Sequence, residues 1–209
     1  PNQIPNVVNP NLESLLINIP CPLTPIASEP PNCANDARIP HDRLAISPRF
    51  GWGPATAPID MIFDGSTAGL TAANFQLTQT GAGGIPPVIV SATPSGNLVR
   101  FVLDKVILVR RHTCIRHIAS NLSICLGNMP ADSNADGTSA GVDVLALADE
   151  LLGIYDPPME IWECDMDRNG ICEPLDLIVN VDLLNGESQF EVFKNPAGPF
   201  LGACPSNLP

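Results

Sequence analysis

The residues best suited to chemistry are carboxylates and amides spaced two apart, and they come in two matching sets. The first begins Asp132-Ser133-Asn134-Ala135-Asp136-Gly137-Thr138 and closes at Asp143. The second begins Asp165-Met166-Asp167-Arg168-Asn169-Gly170-Ile171 and closes at Asp176. A shift of 33 positions lays Asp132 on Asp165, Gly137 on Gly170, Asp143 on Asp176, Leu151 on Leu184 and Gly153 on Gly186, so one unit has been duplicated. Short oxygen-bearing side chains at alternate positions turn to one side of a tight loop, and Gly tolerates the positive φ that such a loop needs. Asp132, Asn134, Asp136 and Asp143, with the carbonyl of Thr138, make one candidate ligand set. Asp165, Asp167, Asn169 and Asp176, with the carbonyl of Ile171, make the other. Calcium takes six to eight hard oxygens at about 2.3–2.6 Å, which each set supplies with one or two waters. Without an ion, two carboxylates about 4 Å apart repel by roughly 4 kcal/mol at an effective dielectric near 20. Asp, Asn and Gly also mark solvated turns, but two such turns in register favour two bound calcium ions.

The spacing is that of an EF-hand calcium loop, with Gly at position 6 and Asp in place of Glu at position 12. Each loop precedes one apolar helical run, and neither has the EF-hand's entering helix. Residues 132–186 thereby resemble the dockerin family. The resemblance implies a small, pseudo-twofold, two-calcium module that docks onto a cohesin-like partner. Its ligand positions match residue by residue, whereas the partner-reading positions depart from the family's pattern. Gly141-Val142 and Pro174-Leu175 stand where a polar pair is usual, and Ala148-Asp149 and Val181-Asp182 stand where basic residues often follow.

The rest of the chain must position this block. At 209 residues and 44% hydrophobic content there is material for two small domains. No run of 18 apolar residues exists, so no membrane-spanning helix is expected. The chain opens at Pro1 without a charged-then-apolar leader, as expected where a signal peptide has been removed. The net charge of -12 is uneven: residues 1–129 carry 8 Lys or Arg against 7 acids, while residues 130–190 carry Arg168 against 14 acids. Acidity confined to the calcium block argues against a nucleic-acid partner. Seven Cys without a CxxC pair point to an oxidising, extracellular setting.

Four segments follow. Residues 1–31 are rich in Pro and Asn and read as an extended arm, in which Leu15-Leu16-Ile17-Asn18-Ile19 would suit a strand added to a sheet edge. Residues 32–128 read as a β-sandwich, with strands at 57–63, 74–80, 87–92, 98–103 and either 106–109 or 113–118, bounded by Gly, Pro, Ser and Asn clusters. The run from Phe63 to Thr78 resembles bacterial Ig-like domains, and the segment Ser28 to Arg38 resembles secreted planctomycete-type proteins in which such a domain precedes a dockerin. Residues 129–188 are the calcium module, and 189–209 form a tail whose Phe190, Val192, Phe193, Phe200 and Leu201 could pack back on either domain.

Catalytic residues are not expected: there is no nucleophile elbow, phosphate loop or His-based zinc motif. Asp60, Asp64 and Asp104 could be paired carboxylates for glycoside hydrolysis, but one Tyr and two Trp leave few platforms for sugars. His112 and His117 lie among Arg110, Arg111 and Arg116, which predicts a solvated or interface strand on which the two rings diverge. The cysteines permit several schemes: a Cys164–Cys172 bridge would pin the second loop, and a Cys114–Cys125 bridge could clip the β-domain to the calcium module. Cys21, Cys33 and Cys204 remain, the odd count leaves one free or joined to another molecule, and the spacing does not choose among the connectivities.

The expected function is a non-catalytic extracellular structural or assembly protein, building a filament, sheath or surface layer with other copies of itself through its arm. Docking to a cohesin-bearing scaffold and carbohydrate binding are the alternatives. Val142, Val144, Leu145, Leu175, Leu177 and Ile178 could form the docking surface or instead brace the module against the sandwich.

Overall fold

The computed structural model describes residues 23–34, 59–80, 85–104, 107, 110–129, 131–167, 171–185 and 202–208. The strands are β1 (Pro25–Glu29), β2 (Ile59–Phe63), β3 (Phe75–Gln79), β4 (Ile89–Ser95), β5 (Leu98–Leu103), β6 (His112–His117) and β7 (Leu122–Gly127), and the helices are α1 (Gly141–Leu151), α2 (Ile161–Cys164) and α3 (Pro174–Leu184). They form a four-stranded sheet in the order β1-β2-β5-β4 and a three-stranded sheet in the order β3-β6-β7. All pairings are antiparallel.

Alternation sets the core. Ile59, Met61 and Phe63 of β2 and Val99, Phe101 and Leu103 of β5 point inward to meet Phe75, Ile115, Ile124 and Leu126 from the other sheet. The intervening Arg100 points outward and lies opposite Asp60 on the neighbouring strand. Its Nε and Nη2 donate to the two Asp60 oxygens at 2.8 and 2.6 Å. Asp64 accepts the Thr24 N–H at 3.0 Å and Asp104 the Val88 N–H at 2.7 Å. Asp60, Asp64 and Asp104 are thus each held by a structural partner. Between β4 and β5, Gly96 has φ +63°, the left-handed conformation that a two-residue hairpin turn requires at its first position.

Four expected strands recur within a few residues, and a fifth lies close to the expected 113–118; of the alternative 106–109, all but residue 107 lie outside the described residues. Strands β1 and β7 were not foreseen; β1 lies within the segment read as an arm, where Pro25 merely begins the strand. The stretch Leu15–Ile19 lies outside the described residues, as does the apolar part of the tail up to Leu201.

The histidine expectation is overturned. His112 and His117 do project to opposite sides of β6, but both are buried, because β6 is the central strand of its sheet and both of its faces are covered. The His117 ring packs 5.2 Å from Phe63 and 5.5 Å from Phe75, and its Nδ1 lies 2.9 Å from Ser120 Oγ. Neither ring nitrogen of His112 meets a hydrogen-bond partner among the described residues. Burial lowers the pKa of both rings and holds them neutral.

Of the possible pairings, Cys114–Cys125 is made, but with a different role: the two face one another across the β6–β7 hairpin instead of joining two domains. Cys33 bridges to Cys204, 171 residues away. This ties the described tail to the sandwich, where Ser123 N–H donates to Asn207 Oδ1 at 2.7 Å, Asn207 Nδ2 donates to Asn121 O at 2.9 Å, and Leu208 packs on the core. Cys21 lies outside the described residues.

Candidate metal centre

A second core, centred on Ala146, Leu147, Met159, Cys164, Met166, Leu183 and Leu184, holds α1 and α3 together and presents the two acidic loops. The helices start where they do because Asp143 and Asp176 stand third in them and reach back to cap them. Asp143 Oδ2 accepts the Ala140 N–H at 2.7 Å, and Asp176 Oδ2 accepts the Glu173 N–H at 2.7 Å. Their other oxygens turn into the loops: Asp143 Oδ1 accepts from Ser133 and Asn134 N–H at 2.9 and 3.2 Å, and Asp176 Oδ1 from Asp167 N–H at 3.0 Å. An Asp at this place closes the loop and starts the helix at once, and the positive end of the helix dipole favours its charge.

In the second loop Asp165, Asp167 and Asp176 are all buried, and one carboxylate oxygen from each lies within 4.8 Å of the others. Among the described residues this is the one group of three acidic, His or Cys side chains gathered so closely. Burial, and after it the capping N–H of Glu173 and the charge of Asp165, act on Asp176, with a net rise in its pKa. Asn169 lies outside the described residues; Ile171 exposes its side chain, which suits a residue used through its carbonyl. Three carboxylates with no imidazole or thiolate are a hard oxygen set, and at this separation each pair repels by roughly 3–4 kcal/mol unless a cation intervenes. The residues therefore fit a hard metal ion, for which Asp165, Asp167 and Asp176 are the candidate ligands.

The first loop repeats the capping Asp and its inward-turned oxygen, with looser acids. Gly137, at φ +84°, lets its N–H reach Asp132 Oδ2 at 2.9 Å. Asp136 is exposed, and its carboxylate accepts the Thr138 N–H at 2.8 Å and the Asn134 amide at 3.2 Å. The Thr138 hydroxyl donates to it as well. Asp143 is fully buried, and burial above all pushes its pKa up to about 6, against the pull of three backbone N–H groups and with a push from Asp136.

The module meets the sandwich through α2, on which Trp162 packs against the first core and donates to Glu29. The helix face suggested as a brace does not make this contact. Val142, Leu145, Leu175 and Ile178 are exposed, and Val144 and Leu177 serve the module's own core. Neither Trp162 nor the Cys33–Cys204 bridge was singled out in the sequence as a contact, and no local pattern marks either. No helix among the described residues is long and apolar enough to cross a membrane.

Compared with protein-family models, curated proteins and solved structures, the chain finds no match.

Proposed function

We propose that this chain is a non-catalytic, calcium-binding extracellular protein that acts by contact with other proteins, an Ig-like β-sandwich carrying a dockerin-like two-calcium module. One ion is held by Asp132, Asn134, Asp136, Thr138 and Asp143, the other by Asp165, Asp167, Asn169, Ile171 and Asp176. The observation that carries this reading is the convergence of Asp165, Asp167 and Asp176 within 4.8 Å in a buried site. Calcium is the hard cation that matches a flexible, carboxylate-rich loop in the setting that three disulfides imply. In this reading the partner is another copy of the chain, with the segment before β1 adding to a neighbour's sheet.

A second reading, docking to a cohesin-like partner, draws on one observation: Val142 and Leu175, and likewise Leu145 and Ile178, occupy equivalent places in the two repeats and are exposed. Calorimetric titration with calcium, followed by light scattering in calcium and in chelator, tests both. Two bound ions and a calcium-dependent increase in particle mass, lost on deletion of residues 1–22, support assembly. Two bound ions with a monomer that forms a one-to-one complex with a cohesin-like domain support docking. Absence of calcium binding would remove the basis of either.

A further inference from the structure

The two loops share a plan but not a closure. Cys164 directly precedes Asp165, and Cys172 follows Ile171, so their disulfide, 8 residues apart in sequence, closes the segment bearing Asp165, Asp167 and Asn169 into a covalent ring. The equivalent places in the first loop are Ala131 and Ser139, which cannot be bridged. The carboxylates follow the same contrast. Asp132 and Asp143 are buried like their counterparts Asp165 and Asp176, but only the ringed loop adds a third buried, gathered carboxylate, Asp167. Its counterpart Asn134 is half-buried and donates to Asp136, which is exposed and turned onto Thr138.

We propose that the Cys164–Cys172 bridge makes the two calcium sites unequal: the second loop binds first and more tightly, and loses that advantage when the bridge is reduced. The proposal rests on the reading of both loops as calcium sites. An open loop must order its backbone around the ion, and part of the binding free energy is spent on that ordering. A ringed loop has lost much of this freedom beforehand. For a closed loop of this size, chain entropy changes an equilibrium constant on the order of ten- to a hundredfold. Coupling is reciprocal, so calcium must oppose reduction of the bridge to the same degree that the bridge favours calcium.

The chemistry of opening is thiol–disulfide exchange with a dithiol reductant. Its thiolate attacks one sulfur, forming a mixed disulfide and releasing the other cysteine. The second thiolate of the reductant then attacks the reductant's own sulfur in the mixed disulfide and displaces the remaining cysteine. Two electrons thus pass to the bridge, Cys164 and Cys172 become thiols with the two protons the reductant gives up, and the reductant leaves as its own disulfide. Cys164 is buried and Cys172 is half-buried, so an attacking thiolate needs the loop to open, which a bound ion resists.

Titration of the oxidised full chain with calcium should show two steps separated by about tenfold or more in affinity. Replacing Asp165 and Asp176 by Asn should remove the tight step, and replacing Asp132 and Asp143 by Asn should remove the weak one. The double substitution Cys164→Ser/Cys172→Ser should weaken the tight step by about tenfold or more and leave the other within about twofold. Equal steps, a tight step that belongs to the first loop, or an unchanged affinity in the cysteine variant would each overturn the proposal while leaving the calcium reading intact. No binding at all would overturn both. The unmutated protein gives a second readout if that variant does not fold: mass mapping of bridges during reduction by dithiothreitol. Cys164–Cys172 should open several-fold more slowly in calcium than in chelator, with Cys33–Cys204 and Cys114–Cys125 insensitive; equal rates for Cys164–Cys172 would overturn the coupling.

Discussion

Asp143 and Asp176 occupy the same place in their two loops, and each accepts the backbone N–H of the residue three before it at 2.7 Å. Both are fully buried, so each is a helix cap and a desolvated charge together. Capping alone is worth about 1 kcal/mol, less than the cost of an isolated buried carboxylate. In the calcium-binding reading proposed above, a bound cation would reconcile the two.

On that reading, stability should have a pH dependence whose sign depends on calcium. The Asp143 carboxyl is raised from 3.8 to about 6, so the stability it contributes is full below 3.8 and is lost as the pH rises through about 6. Asp176 shifts in the same direction. In chelator, acidification from pH 7 to 5 should therefore stabilise the module, by an amount on the order of 1–3 kcal/mol over the full window. In calcium the trend should invert, because protons then compete with the ion. Thermal melts of the wild type and Asp143→Asn at matched pH isolate this contribution, which the variant should lose.

The sandwich should respond in the opposite sense. Burial lowers the pKa of His112 and His117 from 6.5, so the unfolded chain takes up protons more readily and stability falls as the pH drops below about 6.5. His117→Phe keeps the packing on Phe63 and Phe75 and removes the proton site. Urea denaturation of this variant should show a shallower loss between pH 6.5 and 5 than the wild type, with a change of about 1 kcal/mol or less at pH 7.5.

The loops were legible in the sequence because ligand spacing, the Gly turn and the repeat all act over a dozen residues. Asp165, Asp167 and Asp176 are brought together by the segment that names them. What was not legible depends on distant contacts. Arg110, Arg111 and Arg116 suggested a wet strand around His112, yet β3 and β7 flank β6 on both sides. Strand β1 was hidden by the prolines at and around it, Pro22, Pro25, Pro30 and Pro31, and Cys33–Cys204 joins residues 171 positions apart, which no spacing rule reaches.

That last bridge closes a far longer loop than Cys114–Cys125, 171 residues against 11. Its removal should therefore cost more, roughly 3–5 kcal/mol against about 2–3. Urea denaturation of Cys33→Ser/Cys204→Ser and Cys114→Ser/Cys125→Ser, in the same calcium concentration, measures the two. The reverse order would mean that native contacts, not chain entropy, dominate.

Among the buried positions at which the two repeats differ, one exchanges a leucine for an amide. Leu147 of α1 lies in the module's core, and its counterpart in α3 is Asn180, fully buried, with neither amide atom hydrogen-bonded among the described residues. An unpartnered buried amide costs about 1–3 kcal/mol, whereas Leu, with the same heavy-atom branching and a larger apolar volume, would gain from the same burial. Asn180→Leu should thus stabilise the protein by about 1–3 kcal/mol in calcium and in chelator alike, since Asn180 is no candidate ligand. Leu147→Asn should destabilise by a comparable or larger amount, because it creates a second unpartnered amide and removes apolar contacts. The exposed neighbour Leu145 supplies the control: Leu145→Lys should move the unfolding free energy by no more than about 0.5 kcal/mol. If Asn180→Leu instead destabilised the protein, the amide would have to be satisfied by contacts made in solution, and the helix pair would owe its register to that polar group.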